Sequence, residues 1–144
     1  MGKHDDCVFC KIINGEIPSA KVYEDEHVYA FLDLSQVTKG HTLVVPKTHT
    51  KNIYETPAEV AKEFFARIPK IANAIKKTYK PVGMNLLNNN EPPADQSVFH
   101  LHMHLIPRYG KGDGYSANWT IHEKEYTQND LQQIAKDIHD NVPQ

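Results

Sequence analysis

The chain has 144 residues, room for one domain of ordinary size and not two. It is 40% apolar and 24% charged, the balance of a globular protein, and its net charge of −2 leaves no electrostatic footprint for general nucleic-acid binding. Its best apolar runs, residues 29–32 and 42–45, fall far short of the ~20 residues of a membrane helix, and the polar, acidic residues 1–6 are unlike a secretory signal. Two cysteines, Cys7 and Cys10, are too few and too close for a disulfide framework, so a reducing cytoplasm is the expected location.

The first predicted element is a short helix over 8–13, stopped by Asn14-Gly15 and Ile17-Pro18. Strands follow at 21–24, 28–32 and 42–45, the first two joined as a hairpin through Asp25-Glu26, with a polar loop over 34–40 before the third. A long helix should start at Thr56, whose hydroxyl caps it, with Pro57 at its first position and Glu59 reaching back. Val60, Phe64, Ile68, Ile71, Ile75 and Tyr79 step by three and four to give one buried stripe. Pro69 should kink that helix, and Lys80-Pro81 should end it. A fourth strand is read over 82–87, a loop over 88–93 and a fifth strand over 98–106. Gly110, Gly112 and Gly114 make a mobile stretch that lacks the lysine and setting of a phosphate loop. A closing helix spans about 130–139, capped by Thr127, with Leu131, Ile134, Ala135 and Ile138 on one side. The sum is an α+β domain, an antiparallel sheet of about five strands with a long helix packed on it.

Nine histidines are the anomaly of the composition, and three of them alternate with apolar residues over 99–105. On a strand, Phe99, Leu101, Met103 and Leu105 would enter the core, while His100, His102 and His104 share the other face ~7 Å apart. Two chemistries fit such a row. Strand histidines can chelate a metal with a further ligand, and a neutral imidazole can act as a nucleophile beside others that donate to an anion.

The triad is preceded by Gln96-Ser97-Val98 and followed by Pro107-Arg108, and residues 40–47 read Gly-His-Thr-Leu-Val-Val-Pro-Lys with His49 just beyond. This pattern, over about residues 7–108, resembles the histidine-triad (HIT) family of nucleotide hydrolases and transferases, in its bacterial branch near the Hint group. Residues 109–144 would be a carboxy-terminal extension of a single HIT domain. The resemblance implies a hydrolase of nucleotide phosphoramidates or related nucleoside phosphates, releasing a monophosphate such as AMP. His102 would attack the α-phosphorus to give a covalent nucleotidyl-histidine, and His104 would contact the phosphate and help protonate the leaving group. Ser97, Gln96 and Asn89 would hold the phosphate. Asp33 would accept from the ribose hydroxyls, and Val8, Phe9, Ile12, Phe31 and Leu34 would sandwich a purine base; without the resemblance these six read as a strand-ending carboxylate and core. A dinucleoside polyphosphate hydrolase, a triad that is itself a catalytic zinc site, and a non-catalytic nucleotide-binding protein remain alternatives. Relatives also pair as homodimers through the long helix and the edge of the fourth strand.

Cys7-x-x-Cys10 alone is half of a tetrahedral zinc site, a redox pair, or two inert thiols. The resemblance closes it with His49 and the first triad histidine, so Cys7, Cys10, His49 and His100 would hold one structural zinc per protomer. His27, His122 and His139 read as surface residues; His4 and His41 have no assigned role. Relatives commonly carry glycine where this chain has Glu91 and Asp95, which bears on substrate preference. Trp119 reads as either a core anchor or a lid.

Overall fold

The computed structural model describes residues 6–143. The rest of the polar amino-terminal stretch, His4 included, lies outside the described residues.

Elements run α1 (Val8–Ile13), β1 (Lys21–Glu24), β2 (Val28–Leu32), β3 (Thr42–Pro46), α2 (Ala58–Tyr79), β4 (Gly83–Leu87), β5 (Met103–Arg108) and α3 (Gln128–Asp140). The five strands form one antiparallel sheet in the order β1-β2-β3-β5-β4, so the triad strand lies inside it and β4 is an edge. Period-two alternation divides β2 and β3 between two cores. Val28, Ala30 and Val44 join Met103 and Leu105 beneath the α2 stripe of Phe64, Ile68, Ile71 and Ile75. Tyr29, Phe31, Leu43 and Val45 face the other way, onto Phe9 and Ile12 of α1. Burial on both faces is why β2 reads as an unbroken apolar run; each large side chain so buried contributes ~1.5–3 kcal/mol.

Two expectations change. Thr56 does not cap α2: its hydroxyl donates to the Asn52 carbonyl at 2.7 Å, closing the 3₁₀ turn Ile53–Glu55, and Pro57 takes the cap position without a side-chain bond. Pro69 sits inside α2 and the helix runs on to Tyr79, as read from the sequence, with the proline on the exposed side where water can serve the carbonyl its ring leaves unpaired. The fifth strand begins at Met103, not at residue 98. Its pairing with β3 stops at Val44↔Met103 because Pro46, next in the ladder opposite Leu101, has no N–H to give. Leu101 donates instead to the Thr50 carbonyl at 2.7 Å, and Phe99 is left exposed rather than in the core.

After β5 the glycine-rich stretch is a locked turn, not a mobile one. Asp113 takes two bonds from Arg108, both 2.9 Å, and one from the Tyr109 N–H at 2.8 Å. Gly114, at φ +115°, approaches the Val37 carbonyl so closely that a Cβ would stand 2.4 Å from its oxygen. Beyond it α3 carries the expected Thr127 cap, which Asp130 completes as a capping box, yet none of its residues is buried and Leu131, Ile134 and Ile138 face outward. Trp119 is 80% exposed and anchors no core.

Candidate functional site

The first and last triad histidines belong to different sites. His100 is fully buried and its Nε2–H donates to the Pro46 carbonyl at 2.8 Å. That bond leaves the Nδ1 lone pair to face the amino-terminal helix. Nδ1 lies 3.3 Å from Cys7 Sγ, 3.5 Å from Cys10 Sγ and 3.2 Å from His49 Nδ1. His49 Nδ1 is in turn 3.4 Å from Cys7 Sγ and 3.3 Å from Cys10 Sγ.

Zinc at bond lengths of about 2.3 Å to sulfur and about 2.05 Å to nitrogen would set a tetrahedron with edges of roughly 3.6 Å (S–N) and 3.3 Å (N–N). The donor set already stands within about 0.3 Å of those edges. Burial and the neighbouring Cys7 push the Cys10 thiol up to about 12, so ionising the pair calls for a cation between them. This Cys/His group can hold a metal ion. Asp33, His41 and His104 also converge, but His41 Nε2 and His104 Nδ1 are 2.9 Å apart, the length of a hydrogen bond and shorter than the roughly 3.3 Å between two nitrogens of a tetrahedral zinc.

His102 takes the opposite tautomer from His100. Its Nδ1–H donates to the His100 carbonyl at 2.8 Å, which leaves Nε2 with a free lone pair. Phe9 stands edge-on to the ring at 5.0 Å between centroids. Burial lowers the pKa of His102 below the ordinary imidazole value, against the pull of the His100 carbonyl and Asp33, so the ring is neutral at pH 7. Asn88 bolts the strand from behind by donating to the His102 carbonyl at 2.9 Å, and Asn90 donates to Asn88 at 2.8 Å. The three consecutive asparagines thus split their work, with Asn89 lining the pocket.

His104 is set by His41, which had no role from sequence. His41 is 2% exposed; its Nδ1 accepts the Val37 N–H at 3.3 Å, and its Nε2 lies 3.7 Å from the Asp33 carboxylate and 2.9 Å from His104 Nδ1. Acceptance at Nδ1 and a carboxylate beside Nε2 both put the proton on Nε2, so His41 donates to His104 Nδ1 and the His104 proton sits on its own Nε2. Burial, then His102 and His41, push His104 down to about 4, so it stays neutral at pH 7. One strand face therefore presents a bare imidazole nitrogen on His102 and an N–H on His104, with ring centroids 5.2 Å apart.

These groups open on a cavity of about 290 Å³, walled by Asp33, Asn89, Asp95, Ser97 and apolar side chains that include Phe9 and Leu43. Val37, Ile106 and Tyr115 also line it; Ile106 follows His104 by two residues on the same strand face, whereas the Asp113–Arg108 turn and the Gly114–Val37 approach set Tyr115 beside Val37, a pairing that sequence did not signal. Several expected contacts move. Leu34 is 93% exposed and no part of the cavity, since its side chain points out of a loop that folds on its own backbone through Gln36. Ile12 and Phe31 are spent in the core under α1. Val8 is half exposed and lines an adjoining groove with Cys7, His49 and Ser97.

Gln96 is 3% exposed, and its amide is consumed by backbone: Oε1 accepts from the Glu91 N–H at 2.7 Å while Nε2 donates to the Lys51 and Val98 carbonyls at 2.8 and 3.0 Å. It tethers the loop that carries Ser97 and offers no donor to a ligand. His27 and His122 contact surface glutamates, and His139 is exposed on α3. No helix among the described residues is long and apolar enough to cross a membrane.

A family model described as HIT domain matches residues 14–111. The crystal structure of a HIT family member from Bacillus subtilis superposes with a TM-score of 0.95 at 60% identity, covering 97% of this chain and 99% of that one. An adenosine 5'-monophosphoramidase of Saccharomyces cerevisiae is 38% identical over 120 residues, 83% of this chain and 73% of that protein. A zinc-bound histidine triad family protein from Mycobacterium smegmatis superposes with a TM-score of 0.71 at 34% identity, covering 90% of this chain and 96% of that one.

Proposed function

The chain belongs to the HIT family, and from that premise we propose that it hydrolyses the bond between a purine nucleoside 5'-phosphate and an amine or related leaving group. The observation that carries this reading is the pair of opposite tautomers on adjacent histidines, a lone pair on His102 Nε2 beside an N–H on His104 Nε2. His102 Nε2 attacks the α-phosphorus, the bond to the leaving group breaks, and the departing nitrogen, hydrogen-bonded by the His104 N–H, leaves as the amine with a proton taken from solvent. Water then attacks the same phosphorus and gives its proton back to solvent, and the bond to His102 breaks to release the monophosphate. Splitting the displacement lets one cradle, with Ser97 and Asn89 in its wall, stabilise both transition states. Asp33 receives the ribose hydroxyls, and Phe9, Val37 and Leu43 form the apolar side of the base site. Kinship with a named monophosphoramidase supports the phosphoramidate bond as the target.

Zinc is the metal we assign to Cys7, Cys10, His49 and His100, on the tetrahedral edges of the donors and the zinc-bound relative. Four protein ligands close such a site, so it ties α1 to the triad strand and takes no part in the chemistry. Unbridged cysteines suit a cytoplasmic location. The unpaired edge of β4 and the outward apolar face of α3 support a homodimer, and light scattering at micromolar concentration should give twice the monomer mass.

The test is adenosine 5'-phosphoramidate mixed with the protein, quenched in alkaline denaturant, where a phosphorus–histidine bond survives, and weighed. One adenylyl group on the wild-type chain, absent from His102→Ala, is the expected result. Binding of the nucleotide without adduct or turnover would make the protein a nucleotide-binding module instead. Preference for dinucleoside polyphosphates would move the leaving group from amine to phosphate.

A further inference from the structure

The loop that delivers Ser97 is built from two residues in an expensive conformation. Among the described non-glycine residues, positive φ occurs only at Lys80, where it ends α2, and at Glu91 and Asp95. Glu91 lies at φ 75°, ψ 149°, a region that glycine alone enters freely, and Asp95 at φ 71°, ψ 23° in the left-handed well. A closed set of bonds holds them there. The Glu91 carbonyl accepts from the N–H groups of Ala94 and Gln96 at 3.0 and 3.2 Å, Asp95 N–H donates to the Pro92 carbonyl at 2.9 Å, and the Gln96 side chain grips the Glu91 N–H. Glycine would satisfy this backbone at both positions without strain. What glycine lacks is a carboxylate.

Asp95 lines the reaction cavity between Asn89 and Ser97, and its carboxylate has no hydrogen bond or ion pair among the described residues. Asp33, the other carboxylate there, is engaged by the Ser35 N–H at 2.7 Å and by His41. Among the described residues, no lysine or arginine lines the cavity. Among the described residues, the adjoining groove, which shares Ser97 and Val98 as a common wall, sets Asp6 and Glu55 against one lysine, Lys51. A second, unneutralised carboxylate beside an anionic phosphate weakens binding of every ligand that is negative throughout, and favours one that brings its own positive charge.

We propose that Asp95 selects the leaving group: the preferred substrate joins the nucleoside phosphate to an amine whose far end carries an ammonium or guanidinium, and Asp95 binds that cation. The inference rests on the hydrolase reading of the cavity and names its substrate class.

Two adenosine phosphoramidates of equal length test it, one made with 1,3-diaminopropane and one with n-butylamine, so that a distal ammonium replaces a methyl group. In a buffer free of divalent cations, the wild type should favour the diamine substrate about fivefold in kcat/KM, the size of a solvent-accessible charge pair, and high salt should erode the preference. Asp95→Asn, which tolerates the same backbone, and Asp95→Gly, which relaxes it, should both bring the ratio to about one. If the wild type turns over both substrates equally, or if either variant keeps the preference, Asp95 does not select the leaving group, while the hydrolase reading stands. A preference that appears only with added Mg²⁺ would assign the carboxylate to a metal–phosphate complex and overturn the proposal. If neither substrate is turned over, both readings fall.

Discussion

His41 Nε2 lies 2.9 Å from His104 Nδ1, and this one contact decides which nitrogen of His104 carries the proton. The buried histidine in front of β3 is thereby coupled to the strand that does the chemistry, with Asp33 behind it at 3.7 Å.

His41→Ala should lower kcat by about 10- to 100-fold with a smaller change in KM, because it removes the group that orients His104 while Phe9, Val37 and Leu43 stay in the cavity wall. The defect should be large for an alkylamine leaving group and small for a nitrophenolate, which departs without a proton. Equal defects for both would mean that His41 supports folding alone, and His41→Gln, which keeps a donor near His104, should recover part of the alkylamine rate.

His102→Ala and Cys7→Ala should fail in different ways. The first should abolish the nucleotidyl adduct and leave metal content near one zinc per protomer, since His102 is not in the donor set. The second should lose the metal and lower the melting temperature while adduct still forms at low temperature. Metal loss in His102→Ala, measured by elemental analysis, would break the division of labour between neighbouring triad members.

Asp33→Ala should raise KM for ribonucleotide substrates more than for their 2'-deoxy counterparts, because a hydrogen bond to a charged acceptor contributes about 1.5–3 kcal/mol. Steady-state kinetics on the two sugars decide it; identical losses would remove Asp33 from the ribose site.

Asp25 gives a stability prediction with a defined pH window. Its carboxylate takes bonds from the N–H groups of His27 and Val28, from Tyr23 and from Arg67 at 2.7–2.9 Å, tying the β1–β2 turn to α2. Burial pushes its pKa up, but Arg67 and those donors outweigh it and hold the group well below the usual carboxylate range. A depressed folded-state pKa contributes stability above the unfolded value and loses it as pH falls toward the folded one. Asp25→Asn should therefore cost about 1.5–3 kcal/mol in urea unfolding at pH 7, and the gap should narrow below about pH 4.

Short-range chemistry made most of the fold legible. Apolar periods of two and three to four located β1, β2, α1 and α2, because burial of one face is a local property of the pattern, and the Thr127 cap marked the start of α3. The alternation around the triad also placed Met103 and Leu105 in one core and His104 on the opposite face. It overran the strand, since where a ladder ends depends on the partner, and Pro46 of β3 is 57 residues before Met103.

The residues of the site were readable as types and not as partners. Cys7, Cys10, His49 and His100 could be named from spacing and resemblance, and the structure brings their donor atoms together. Gln96 and Leu34 could not be separated from ligand contacts, because a buried amide spent on backbone and a side chain turned to solvent look alike in one dimension. The proton positions on His102 and His104 belong wholly to the tertiary structure. A tautomer is set by the acceptor or donor at the other ring nitrogen, and for these two rings those are the His100 carbonyl and a His41 that lies 63 residues away along the chain.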